Sequence, residues 1–212
     1  MKRQSFSADP DQFGFDSLLI EAETVNRQAA LEKRFAHLPG TMDEALPVYR
    51  DIIKRHHAAM LAGNTETTLQ LREEAHDLAL RLNNGEPGIL AGPDAPGCML
   101  ERLTVADNGI VPLWGQTGSF IIEVQGMNVR IDMDGIFGIG SQYSPWMNFS
   151  VHAVHWNKPF LSETGYRSFM GLQAQLAPGL TPDIFASQVI DAHVQKELKG
   201  RLKAIEPRYR KK

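Results

Sequence analysis

The chain has 212 residues, 42% of them hydrophobic, an ordinary proportion for a globular protein and enough for a sizeable core. A single cysteine, Cys98, excludes an internal disulfide framework, and no stretch reaches the roughly 18 apolar residues of a membrane span. Net charge is −3 but uneven: Lys196 to Lys212 carries eight Lys/Arg against Glu197 and Glu206, net +6, which leaves −9 for the rest.

Residues 1–16 mix polar residues, Pro and Gly with Phe6, Phe13 and Phe15 and read as a flexible arm; they hold no apolar run of signal-peptide length, so a cytoplasmic protein is expected. Three helices follow over 17–84. The first, capped at Asp16 or Ser17, has one stripe of Leu18, Ala22, Val25 and Ala29 and a second of Leu31, Phe35 and Leu38, and Pro39-Gly40 ends it. Thr41 and Glu44 form a capping-box pattern, although Pro47 points to a regular helix beginning near Leu46, with Tyr49, Ile52, Ile53, His56 and Met60 inward. Thr65 opens the third, whose stripe is Leu71, Ala75, Leu78 and Leu82 and whose stop is Asn83-Asn84-Gly85.

Between 85 and 118, eleven of 34 residues are Gly or Pro, the mark of a connector with one helical turn around Cys98 to Leu103. Trp114 and Val111 suggest that its end folds down onto a sheet formed further along the chain. Two alternating runs, Phe120 to Val124 and Met127 to Met133, flank Gln125-Gly126. A hairpin there pairs Val124 with Met127, Ile122 with Val129 and Phe120 with Ile131, placing six apolar side chains on one face. The other face carries Ser119, Ile121, Glu123, Asn128, Arg130 and Asp132, and a one-residue slip would expose the apolar set. A third strand is expected over Phe149 to Trp156, with His152, Val154 and Trp156 opposite Val151, Ala153 and His155. Ser162 or Thr164 then caps a short helix carrying Tyr166, Phe169 and Met170. Thr181-Pro182-Asp183 starts a long amphipathic helix, with Ile190, Val194, Leu198, Leu202 and Ile205 inward up to Pro207, that covers the sheet. The expected fold is therefore α+β: a three-helix N-terminal segment, a small antiparallel sheet and a long C-terminal helix, in one domain over 17–206, followed by a basic tail over 207–212.

The densest polar constellation runs from Lys158 to Phe169. Lys158, Ser162, Thr164 and Arg167 there could hold a phosphate or carboxylate near free backbone N–H groups, with His155, Glu163 and Tyr166 as proton-transfer candidates. The same residues also make an ordinary turn, in which the hydroxyls cap, Glu163 pairs with Arg167 and Tyr166 is core. The run HWNKPFLSETGYRSF, residues 155–169, resembles a segment of uncharacterised proteins encoded on bacterial plasmids and integrative elements. The resemblance implies accessory cargo of a mobile element and assigns no activity or residue role.

Metal readings are weak. His152 and His155 point to opposite faces of a strand, and the Glu73/His76 pair lacks the second such pair that a di-iron bundle needs, even with His56 and His57 on the neighbouring helix. Asp132 and Asp134 would lie about 7 Å apart on one strand face with Arg130, but Asp134-Gly135 more simply begins a turn. Gly135, Gly138 and Gly140 do not make a dinucleotide fingerprint, and neither a nucleophile elbow nor a P-loop is present. Cys98 shows no partner base.

Two function classes stay open. One is an accessory interaction protein of a mobile element, binding protein or nucleic acid without catalysis through the polar sheet face or the basic tail. The other is an enzyme or ligand-binding protein for an anionic small molecule, using the Lys158 to Arg167 segment, which requires those side chains to converge on one concave pocket. Neither calls for a cofactor, a resident metal or a membrane.

Overall fold

In the computed structural model the described residues are 21–23, 25, 26 and 29–210; the expected arm, Leu18 and the last two lysines of the tail lie outside them. Residues 29–35 form the described end of the first helix, α1, and bury Phe35, with Leu38 following it into the core. Ala22, Val25 and Ala29, the described part of the first stripe, are exposed. Helix α2 spans Met42–Leu61 and begins earlier than Pro47 suggested. Thr41 Oγ1 donates to Glu44 Oε2 at 2.9 Å, and this cap, with Ala45 and Tyr49 buried one turn on, outweighs the single hydrogen bond that Pro47 removes. Helix α3, Thr65–Leu82, is capped by Asn64, whose Oδ1 accepts the Thr67 N–H at 3.0 Å. The connector holds one short helix, α4, Pro96–Leu103.

Four strands follow: β1 Gly118–Val124, β2 Met127–Met133, β3 Phe149–Ala153 and β4 Tyr166–Phe169, antiparallel throughout and in that spatial order. The hairpin register is the expected one, Val124 with Met127, Ile122 with Val129 and Phe120 with Ile131. Gln125 at φ 51° and Gly126 at φ 70° are both left-handed, the primed turn whose twist suits a two-residue loop. The core face of the sheet packs on α5, Pro182–Lys196, through Phe185, Ile190 and Val194.

Three expectations are corrected. Residues 166–169 are a fourth strand, not a helix, because the Ser162 and Thr164 hydroxyls meet the Tyr166 N–H across a turn, at 3.2 and 3.3 Å, instead of capping a helix. Strand β3 stops at Ala153, so His155 and Trp156 lie beyond it. Helix α5 ends at Lys196, well short of Pro207, and the chain reverses where Lys199 and Gly200 are left-handed. Leu198 and Leu202 still pack on the sheet core and Ile205 is buried in it, reached by irregular chain that bridges Lys203 to Phe160. Of the two connector residues expected to fold down, Trp114 is fully buried against Trp146 and Phe185, while Val111 is exposed.

Two hydrophobic clusters result, one beneath the sheet and one among α2, α3 and α4. Arg72 on α3 joins them. Its guanidinium is buried and among the described residues meets no carboxylate; it donates to the carbonyls of Ser141, Ser144 (2.6 Å) and Pro145 (3.0 Å), in the loop between β2 and β3. Its Nε–H donates to His56 Nε2 at 3.0 Å. That fixes the His56 tautomer, because Nδ1 must then donate to the Trp114 carbonyl at 2.8 Å. His57 Nδ1 accepts the Trp114 N–H at 3.1 Å and the Trp114 indole N–H donates to Leu180 O at 2.7 Å, so Trp114 is held on three sides. Burial and the facing cation push the His56 pKa down to about 3, keeping the ring neutral. Burial lowers Arg72 only to about 10, and it stays charged.

Arg72→Met would leave three buried carbonyls and His56 Nε2 without their donor. Urea denaturation is expected to show a loss of about 3–5 kcal/mol, with Arg72→Lys recovering only part because an ammonium lacks the planar fork; equal stability of the methionine variant and the wild type would contradict the role given to Arg72.

Candidate functional site

The period of two along β2 and β3 sends Arg130, Asp132, Ser150 and His152 away from the core, and the strand order brings them side by side. The Asp132 carboxylate is their centre. It accepts from Ser119 Oγ at 2.8 Å on Oδ1 and from Arg130 Nη2 at 3.1 Å on Oδ2, with Arg130 Nε 3.0 Å from Oδ1 and His152 Nε2 3.0 Å from Oδ2. Ser150 Oγ lies 3.2 Å from the same His152 nitrogen, and Tyr166, opposite His152 on β4, meets its ring edge-on at 5.0 Å between centroids. Beside this network Ile121 is 60% exposed and Tyr166 46%.

Ser, His and Asp in one cluster raise the question of nucleophilic catalysis. Here Ser150 and Asp132 both approach Nε2 of His152, whereas a relay needs the carboxylate on one ring nitrogen and the hydroxyl on the other. The arrangement is a polar network spread over an open sheet face. Sequence periodicity places Arg130 and Asp132 on this face; His152 joins them through the register of β2 with β3, and Tyr166 through the fourth strand.

The residues of the Lys158 to Arg167 segment are distributed over several surroundings. His155 and Lys158 line one cavity of about 100 Å³ beside the hairpin end, with Asn128 and Leu202. Ser162 and Thr164 turn inward on their own bend, both hydroxyls donating to the Tyr166 carbonyl, at 2.7 and 3.2 Å. Glu163 faces Lys203 at 3.8 Å instead of Arg167. Tyr166 stands on the open sheet face, while Arg167 lies over the Phe169 ring at 5.7 Å, close enough to His193 on α5 to lower that imidazole's pKa, burial being the larger cause.

A second group of perturbed side chains was not legible. Glu101 on α4 accepts the Phe137 N–H at 3.1 Å on Oε1, and burial, with Asp134 nearby, pushes its carboxyl up to about 7. Asp134 is also raised by burial, against a hydrogen bond from Asn148. The buried Tyr49 hydroxyl has no hydrogen-bond partner among the described residues, and burial and Glu101 both raise its pKa. Asp134 has thus left the Asp132 face at the end of β2 and belongs to a separate, half-buried pair with Glu101. Among the described residues no group of three or more His, Cys, Asp or Glu is placed to hold a metal ion, and no helix is long and apolar enough to cross a membrane.

Residues 117–199, which carry all four strands and α5, match the family model described as KlcB third domain. Two curated proteins from Escherichia coli, both named Protein KlcB, are similar to the chain. One is 32% identical over 172 residues, covering 80% of this chain and 36% of its own length. The other is 31% identical over 134 residues, covering 63% and 32%. The chain thus spans about a third of the length of the curated relatives it matches. No solved structure matches it. The segment 155–169, which resembles plasmid-borne proteins, lies inside the matched region.

The half-buried Glu101 carboxyl gives the fold a pH signature. Its folded pKa is raised from 4.5 to about 7, so the folded state holds the proton more tightly than the unfolded chain. Its contribution to stability is fully present below about pH 4.5 and is lost as pH rises towards 7. Denaturation across that window is expected to show a downward slope that Glu101→Gln removes, with the variant more stable than the wild type at pH 8; parallel profiles for the two proteins would refute the assignment.

Proposed function

We propose that the chain is a non-catalytic interaction module of a KlcB-like accessory protein of a mobile element, and that it binds a partner protein through the open face of the sheet. The observation that carries this reading is the Asp132 network. Ser119, Arg130 and His152, from three strands, are fixed on one carboxylate in the open, next to Ile121 and Tyr166. A pre-ordered polar surface with an exposed tyrosine and an aliphatic neighbour loses little side-chain entropy on docking.

Charge favours protein over nucleic acid. Arg130 is balanced by Asp132, and Glu123 adds a second exposed carboxylate, so the face offers phosphates no cationic surplus. In the tail, Arg208 pairs with Glu206 at 2.6 Å and lies over the Tyr209 ring, and Arg210 Nε donates to Ile205 O at 3.0 Å. The reading as a binder of anionic small molecules keeps one supporting observation, the cavity of about 100 Å³ shared by His155 and Lys158. Drug-sized ligands occupy roughly 300 Å³ or more, so only a small anion suits it.

A photo-crosslinking residue at position 121 or 166, introduced into the full chain in cells, is expected to yield the same partner polypeptide at both positions. That partner, once purified, should bind Ile121→Asp/Tyr166→Ala at least tenfold more weakly than the wild type, while circular dichroism shows both folded. Undiminished binding by the double variant, or adducts with nucleic acid only, would rule the reading out.

A further inference from the structure

The loop that Arg72 clamps from below displays Ile139 and Tyr143 on its outer side, 82% and 85% exposed, the most exposed large apolar side chains among the described residues. Its backbone is further tied down by Ser141 Oγ to Ile136 O at 2.5 Å and by Asn148 Nδ2 to Ile139 O at 2.6 Å. Two apolar side chains are therefore held out in water on a fixed scaffold.

A groove lies beside them. One cavity of about 520 Å³ follows α3 from Glu66 to Leu80 and is also lined by Gln142; a second, of about 190 Å³, lies under Ile139 and Tyr143 against Leu90 and Phe137. His76 and Gln142 line both, so the two adjoin. The α3 residues involved follow helical spacing over about 20 Å, the length of a four-turn helix laid alongside. Leu69 and Leu80 give the groove an apolar floor, and Glu66, Glu73 and Asp77 a carboxylate wall. Arg34 is its one exposed cation among the described residues, already bound by Asp77 at 2.6 Å and facing Glu73 at 3.6 Å; the Arg72 guanidinium is spent on carbonyls.

We propose that this groove, on a different surface from the sheet face, is a docking site for a basic amphipathic helix of a partner protein. The helix would pack its apolar stripe on Leu69, Leu80, Ile139 and Tyr143 and set Lys or Arg against Glu66 and Glu73, since both Asp77 oxygens are held by Arg34. The charge of the wall selects a cationic occupant, and the clamped loop supplies the aromatic and aliphatic anchors that dominate such interfaces.

The test is fluorescence anisotropy on the full chain with a labelled helical peptide of about four turns, carrying a leucine stripe flanked by lysines, and with its counterpart in which glutamate replaces every lysine. The lysine peptide should bind, and the glutamate peptide at least tenfold more weakly. Ile139→Ser/Tyr143→Ser and Glu73→Lys should each weaken the lysine peptide at least tenfold. Asp107→Lys, the same charge change beside β1, should leave it unchanged. Failure of the wild type to bind, equal binding of the two peptides, or an equal effect of Asp107→Lys would overturn the proposal. So would a tenfold gain in affinity on Phe6→Ser/Phe13→Ser/Phe15→Ser, which would make the chain's own arm the occupant.

Discussion

A buried guanidinium that faces carbonyls, a thioether and a neutral imidazole is costly, because its charge has left water without gaining an opposite one. Arg72 is such a group. Its donors reach two parts of the chain: the loop between β2 and β3 on one side, which no regular element fixes, and on the other the α2 side chains of Met60 and His56, the latter holding the Trp114 carbonyl. The helical cluster and the sheet cluster therefore meet through directional polar contacts, those of Arg72 and those of His56 and His57 with Trp114, in addition to their apolar packing. Both candidate surfaces depend on this: the loop bearing Ile139 and Tyr143 hangs from Arg72, and the sheet behind the Asp132 network rests on Trp114.

How much of this could be read in the sequence depends on whether the signal is local. The hairpin was legible to the residue because alternation over five positions before Gln125-Gly126 and seven after it admits one register. Strand β4 was not, since Ser162, Glu163 and Thr164 before Tyr166 carry the chemistry of a helix cap and of a tight turn equally well. The apolar stripe through Leu198, Leu202 and Ile205 told correctly which side chains go inward and wrongly that they do so as a helix. Left-handed backbone at Lys199 and Gly200 breaks the periodicity without changing the burial.

The candidate sites divide in the same way. Arg130 and Asp132 share a face by simple alternation, so the polar face was foreseeable, whereas the roles of Arg72 and Glu101 were not. Arg72 sits in an Arg-Glu-Glu run that reads as solvated helix surface, and its partners lie far along the chain in a loop of Gly, Ser and Gln. Glu101 lies on a short helix in a Gly/Pro-rich connector, and only the closed fold brings Asp134 and the Phe137 N–H to it. Buried polar groups paired over long range leave no periodic trace.

Native-state hydrogen exchange on the wild type and on Arg72→Met tests most directly whether this one side chain couples the two clusters. If it does, the slowest amides of α3 and β2 share one opening free energy in the wild type and separate in the variant, the helical set opening first. Equal opening free energies for both sets in the variant, or two distinct values already present in the wild type, would show that apolar packing alone decides how the two halves hold together.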